Sequence, residues 1–353
     1  MLRFRLLAVP LIALIVMEFL PPPAEAAPRQ SSRAEASRVS AAGRQSPRVV
    51  RVATFNVRTA RARQDGRRWL RRAPDVAREI LSRNPGVVAL QELGPGRADG
   101  HRGRLKGHVR QTTSLTNSLR RQGGGRYRLV RSTAYVRPGT RHGTQGARIL
   151  YDSSRYRLVS RCRETTGRRA YNRSCSFELP LGPGDGAKLR RSAAYAEFAD
   201  RRTGRRFFVV SAHLDHRHSR NNRLERRYNH LRARQAAAVA RTLARVNRRH
   251  RPVIFGGDVN SWRTDRSRYA PYRALAARGY RDAANARLRV NYAYPTINHW
   301  RVRMRRYRPG FGPRLDVVMV KGARGVRRYE NKMARVDRAR PSDHNMGVAD
   351  IVL

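Results

Sequence analysis

The 353-residue chain carries 78 Lys and Arg against 24 Asp and Glu, a formal net charge of +54, and 40% of its residues are hydrophobic. That apolar share is enough for a substantial core, and the length allows one large domain or two ordinary ones. GC-rich coding would put Arg in place of Lys, but it would not deplete Asp and Glu, so codon bias is excluded as the sole origin of the charge.

The N-terminus reads as an export signal. Arg3 and Arg5 form a positive n-region, Leu6 to Met17 an apolar h-region, and Ala24, Ala26 and Ala27 offer a small-residue cleavage site. The apolar run falls well short of the roughly 20 residues of a spanning helix. Export with removal of residues 1–27 is therefore expected, with an uncleaved anchor as the alternative. Residues 28–48, rich in Arg, Ser, Ala, Gly and Pro, lack apolar periodicity and read as a disordered linker before a single catalytic domain, 49–353.

From Val49 the pattern changes. Val49 to Phe55 reads as a buried strand; Pro74 suits the first turn of a helix whose apolar face is Val76, Ala77, Ile80 and Leu81. Val87 to Leu90 is the next strand and ends in Gln91-Glu92. A Gly-, Arg- and His-rich loop follows at 94–110, then a short helix at 112–121 and strands at Tyr127–Val130, Ala147–Tyr151 and Tyr156–Val159. Residues 161–191 read as an exposed excursion holding Cys162 and Cys175, which pair as a disulfide in an oxidising compartment or else remain buried thiols. Two Cys without nearby His do not make a zinc site.

Ala193–Phe198 and Arg206–Ser211 form a hairpin, 221–248 the longest helix, and Val253–Phe255 a buried strand that runs into a Gly-Gly-Asp turn. Tyr272–Ala277 is helical and 280–312 an aromatic- and Arg-rich loop; Leu315–Val320 and Met346–Val352 are the last strands.

Five short motifs sit at the ends of these apolar runs: Thr54-Phe55-Asn56, Gln91-Glu92, His213-Leu214-Asp215, Gly257-Asp258-Val259-Asn260 and Ser342-Asp343-His344. Hydrolysing a phosphodiester requires neutralising phosphate charge, activating water and stabilising a leaving oxygen. Magnesium does the first and last through oxygen ligands. Glu92 at a strand end, with Asn56 beside it, is the candidate primary metal site. The two glycines let Asp258 and Asn260 point toward one phosphate, a plain Asx turn being the bland alternative. A neutral His acts as a base only when its other nitrogen is held, and Asp316 could hold His344. His213, Asp215, His216 and His218 would alternatively make a transition-metal cluster.

In their order, these motifs resemble the endonuclease/exonuclease/phosphatase family, the deoxyribonuclease I-like metal-dependent phosphoesterases, over roughly residues 49–353. The resemblance implies an α/β fold, a four-layer α/β/β/α sandwich of two mixed sheets flanked by helices. It implies a divalent ion, Mg2+ with Mn2+ or Ca2+ as alternatives, at Asn56 and Glu92 with Asp343 in support. Asp258 would orient or deprotonate water, Asn260 bind the phosphate, His213 contact the scissile phosphate or aid the leaving group, and Asp316 orient His344. Whether Asp258 or His344 takes the proton is left open, and His213 has no evident acidic partner.

The basic field attracts polyanions, nucleic acid (DNA or RNA) first and anionic membrane or cell-wall polymers otherwise. Alternatively, Arg scattered along the chain is a solubility adaptation. Tyr294, Trp300, Arg301 and Tyr307 would suit stacking on bases, insertion at a lipid interface or loop packing. The leading expectation is a secreted, monomeric nuclease. A sphingomyelinase or phospholipase C-like enzyme, a phosphoinositide or sugar-phosphate phosphatase, and a non-catalytic polyanion binder are the alternatives.

Overall fold

The alternation read from the sequence produces two packed sheets in the computed structural model, which describes residues 49–61, 67–101, 105–131, 146–162, 175–186, 189–262, 269–307, 310–333 and 340–353. The expected leader, 1–27, and linker, 28–48, lie outside the described residues. Strands in chain order are β1 (Val49–Asn56), β2 (Val87–Gln91), β3 (Tyr127–Leu129), β4 (Arg148–Asp152), β5 (Tyr156–Leu158), β6 (Ser176–Glu178), β7 (Ser192–Asp200), β8 (Arg206–His213), β9 (Val253–Asp258), β10 (Arg281–Asp282), β11 (Leu288–Val290), β12 (Asp316–Lys321), β13 (Gly325–Lys332) and β14 (Met346–Val352). Helices are α1 (Trp69–Leu81), α2 (Gln111–Arg121), α3 (Asn222–Val246) and α4 (Ala270–Ala276).

One sheet runs β11-β13-β14-β1-β2-β4-β3 and the other β10-β12-β9-β8-β7-β5, with β6 added on β7. Val50, Val52, Val87, Ile149, Phe198, Phe207, Val209, Ile254, Val318 and Ile351 fill the space between the sheets. Alternate residues of the first sheet (Ala53, Phe55, Val88, Leu90) pack with Trp69, Val76, Ile80 and Leu115 of α1 and α2. Those of the second (Val210, Ala212, Val253, Phe255) pack with Val239, Leu243 and Leu275 of α3 and α4. The result is the expected α/β/β/α sandwich.

β1 and β2 are parallel and joined through α1, as are β8 and β9 through α3. Their carboxyl ends therefore share one rim. β12 is antiparallel to β9, and β14 to β1, so their amino ends arrive at that same rim.

Several expectations are corrected. The first helix starts at Trp69, leaving Pro74 inside it. The Trp69 indole donates to Ser114 Oγ, and the buried Arg72 donates to the carbonyls of Val57, Arg58, Arg67 and Pro341. These contacts hold a first turn that its own polar sequence conceals. In 161–191, β6 pairs with β7 and buries Ser176, Phe177 and Leu179, so that part is not exposed. Cys162 and Cys175 are disulfide-bonded, with Cα atoms 5.4 Å apart. The 280–312 loop contains β10 and β11, and β13 went unanticipated because Arg327 and Arg328 interrupt its apolar pattern.

Candidate active site

The period of two that builds the sandwich also builds the site. Moving along the inter-sheet face toward the rim, apolar side chains give way to a polar layer of Thr54, Gln91 and Ser211. Gln91 accepts from Thr54 Oγ1 and donates to Ser211 Oγ at 3.1 Å, and Ser211 Oγ donates to the Leu90 carbonyl. Gly256 lies in the same layer. A Cβ there would sit 2.6 Å from that of Ala89, so Gly256 permits close approach of the sheets; the Gly-Gly pair belongs to β9 and is not a turn, as the sequence suggested.

One step further out stand the ionisable groups. In the strand registers His213 pairs with Asp258, and Asp258 with Asp316, forming one row across β8, β9 and β12. From the facing sheet Asn56 Nδ2 reaches across, 3.0 Å from Asp258 Oδ2 and 3.2 Å from Glu92 Oε1. Asp258 Oδ2 also faces His213 Nε2 at 3.4 Å and His344 Nε2 at 3.9 Å. His213 thus has the acidic partner that the sequence did not reveal. His344 Nδ1 lies 2.8 Å from Asp316 Oδ2, the orientation expected of that pair. The ligand atoms of Asp258, Asp316 and His344 lie within 4.8 Å of one another.

Loops carry the rest. Glu92 takes a left-handed backbone, φ 57°, just beyond β2, and its Oε2 accepts from Thr59 N. Asn260, φ 47°, donates its backbone N–H to Asp258 Oδ1 and its side-chain amide to the Leu214 carbonyl. Such conformations are uncommon for residues with a Cβ and cluster at functional sites. Ser342 Oγ donates to the Asn56 carbonyl, tying the Ser-Asp-His segment to β1. All eight residues expected in the site, Asn56, Glu92, His213, Asp258, Asn260, Asp316, Asp343 and His344, converge on this rim and are buried. His344 is only 5% exposed.

Burial and charge set the proton affinities. Burial, reinforced by Asp316, raises Asp258 to about 7. His344 is raised to about 10: burial opposes its charge, but the Asp316 carboxylate and its hydrogen bond outweigh that. His213 goes the other way, held well below its usual range by burial and then by Arg191. It is therefore neutral, and with Nε2 toward Asp258 its buried Nδ1 has no hydrogen-bond partner among the described residues. Asp316 Oδ1 is likewise unsatisfied there. Buried orphans of this kind are costly, and they are at home where a ligand completes them.

Two contributors escaped the sequence reading. Arg58 Nη1 lies 3.4 Å from Asp343 Oδ2 and 3.9 Å from Glu92 Oε1, bridging the two carboxylates expected at a metal. Its left-handed backbone is fixed by Asn56 Oδ1, which accepts the Arg58 N–H, and by Arg72, which grips its carbonyl. Arg191 donates to the His213 carbonyl and meets His216 Nδ1 at 2.6 Å. Among so many arginines neither stood out; only the two-residue offset of Arg58 from Asn56 was a usable signal. The transition-metal alternative fails, because His213 faces Asp258, Asp215 holds Arg217, His216 meets Arg191 and His218 meets Glu225.

A family model described as the endonuclease/exonuclease/phosphatase family matches residues 53–344. No curated protein matches the sequence. Among solved structures, an endonuclease/exonuclease/phosphatase family protein from Bacteroides thetaiotaomicron aligns with a TM-score of 0.61 at 20% identity, covering 87% of this chain and 99% of its own. A mannosyl-6-phosphatase from the same organism gives 0.60 at 21%, covering 86% and 100%. D. rerio TDP2, complexed with single strand DNA product, gives 0.51 at 16%, covering 86% and 98%. At such identities the likeness is one of fold.

Proposed function

Because the chain belongs to the endonuclease/exonuclease/phosphatase family of phosphoric-ester hydrolases, we propose that it is an exported, divalent-metal-dependent nuclease that hydrolyses extracellular nucleic acid. The observation that carries the reading is the row His213–Asp258–Asp316 closed by His344 and faced by Asn56 and Glu92, set in a chain of net charge +54.

The donor set suits a hard cation. Glu92 and Asp343 present carboxylate oxygens to the Arg58 guanidinium between them, which marks that space as favourable to positive charge. Glu92 and Asp343, with Asn56 beside them, would hold the ion, magnesium first. When bound, it supplies charge neutralisation at the phosphate and at the leaving oxygen.

The side chains divide the remaining work. Asp258, raised toward neutrality, accepts the proton of the attacking water as its oxygen bonds to phosphorus. His344 keeps its proton near neutral pH because Asp316 supports it, so it acts as a charged donor to the phosphoryl oxygens and not as the base. Asn260 adds an amide donor beside Asp258. Neutral His213 faces the Asp258 carboxylate and positions it. The P–O bond to the leaving sugar breaks, and that oxygen takes a proton from solvent.

A second reading has its own support: the likeness to a mannosyl-6-phosphatase fits a sugar-phosphate monoesterase. One experiment separates the two. Purified protein is assayed on plasmid DNA, structured RNA, mannose 6-phosphate and sphingomyelin vesicles, with magnesium, manganese or EDTA and with Asp258→Ala as control. Nucleic-acid cleavage that EDTA and Asp258→Ala both abolish supports the proposal. Turnover of mannose 6-phosphate or sphingomyelin alone overturns it.

A further inference from the structure

A groove of about 650 Å³ runs between the first half of α3 and the turn around Gly182 and Asp185. Arg217, Arg223, Arg226, Arg227 and Arg234 line it together with the Tyr228 ring. Its acid, Asp185, is already held by both guanidinium nitrogens of Arg217 at 2.7 Å. No carboxylate among the described residues lies within 4.0 Å of Arg223, Arg226, Arg227 or Arg234. Elsewhere the scarce acids stand against arginines, as in Arg51–Asp350, Arg83–Glu330 and Arg206–Glu197. Arg in the first turns of a helix also opposes the macrodipole, so local stability does not explain this cluster.

Arg217 ties the groove to the catalytic rim through the chain. Arg217 follows His213 by four residues, so their Cα atoms lie within about 14 Å. Its guanidinium sits 4.7 Å from the centre of the Tyr228 ring. Next to it, His218 lies 5.9 Å from the Trp262 ring, two residues beyond Asn260. From Arg223 to Arg234, α3 rises about 17 Å, and a base-stacked strand advances roughly 3.4 Å per phosphate along its axis, as in duplex DNA. The basic length therefore matches about five phosphates.

We propose that this groove is an extended binding site for a polynucleotide backbone, seating about five nucleotides to one side of the scissile bond. The proposal rests on the nuclease reading above and deepens it. A tyrosine ring among arginines that no carboxylate holds suits a stacked base and its phosphates. The groove is concave, and its exposed apolar side chains are Pro183 and Leu224, which a bilayer surface would not engage as an apolar face.

The test compares Arg223→Ser/Arg227→Ser/Arg234→Ser with the parent. Fluorescence anisotropy follows binding of oligonucleotides of 4, 8, 12 and 20 nucleotides and of phosphatidylglycerol vesicles across a salt series. Hydrolysis of bis(p-nitrophenyl) phosphate reports the catalytic centre alone, and a thermal melt verifies folding. The parent should bind more tightly with length up to roughly 8–12 nucleotides and then level off. The triple variant should lose that gain, and its slope of log affinity against log salt should fall by about 2, from three single-strand contacts, with small-substrate turnover unchanged. An unaltered salt slope overturns the proposal, as does an equal loss on the small substrate or a loss confined to vesicles. If the parent binds through the groove yet cleaves no nucleic acid, the groove stands and the nuclease reading falls.

Discussion

Replacing Gly256 by Ala probes what holds Asn56 and Asp258 together. An added Cβ would lie 2.6 Å from Ala89 Cβ and 3.3 Å from Thr54 Cβ, both on the opposite sheet. Carbon contacts settle at about 3.5–4.0 Å, so the sheets must part locally by roughly 1 Å. Overpacking of this kind costs about 1–3 kcal/mol. The functional loss should be larger than the loss of stability. The 3.0 Å Asn56–Asp258 hydrogen bond crosses the sandwich two residues further along both strands. An opening of roughly 1 Å carries it beyond bonding distance, and misplacement on that scale costs on the order of 100-fold in rate. Ala89→Gly removes the opposing methyl, leaving the 3.3 Å approach to Thr54, which needs a shift of only a few tenths of an ångström. Urea denaturation of the parent, both single variants and the double variant closes a double-mutant cycle. The double variant should recover most of the stability and turnover lost in Gly256→Ala. A double variant no better than the sum of its parts would refute the idea that this contact sets the sheet spacing.

Turnover should follow a bell-shaped pH profile, rising as Asp258 ionises near pH 7 and falling as His344 loses its proton near pH 10. Asp316→Asn removes the anion that supports His344 and should draw the alkaline limb to lower pH; a limb that stays in place would exclude this coupling. Asp258→Asn should cost at least about 100-fold in rate yet stabilise the metal-free protein above pH 7. The sign follows from linkage: the folded carboxyl ionises at about 7 and the unfolded one near 3.8, so ionisation penalises the fold as pH climbs through that window. The gain should reach roughly 2–4 kcal/mol above pH 7 and vanish below pH 4, read as chemical-denaturation midpoints; equal stability at both pH values would contradict it. Glu92→Gln should raise the magnesium concentration for half-maximal activity and weaken manganese binding seen by electron paramagnetic resonance. Unchanged manganese binding would remove Glu92 from the metal site.

Much of this was legible because strand alternation is a local property. Val50, Val52, Val87 and Val209 announce their strands, and the first polar residue after each run marks the rim. What the pattern does not carry is which rows meet across the sandwich. The Asp316–His344 pair was inferable from chemistry, but the contact of His213 with Asp258 depends on the parallel register of β8 and β9. Glycine misled for a related reason: Gly256-Gly257 reads as a turn along the chain, whereas its missing side chains matter perpendicular to the sheet.

Arginine misled in a different way. With 78 basic residues, no single one is informative by its presence, and sequence could not separate structural from available charge. The fold makes that separation by distributing 24 acids. Arg72, buried among four carbonyls, binds loops together; Arg58 balances Glu92 and Asp343; Arg206 is neutralised by Glu197 on the neighbouring β7 and Arg83 by Glu330 on β13. On α3, Arg232 is paired with Glu225, whereas Arg223, Arg227 and Arg234 face the groove with no carboxylate within 4.0 Å among the described residues. Five arginines nevertheless line one groove, and the first of them, Arg217, stands four residues from His213, an arrangement a polyanionic substrate would exploit.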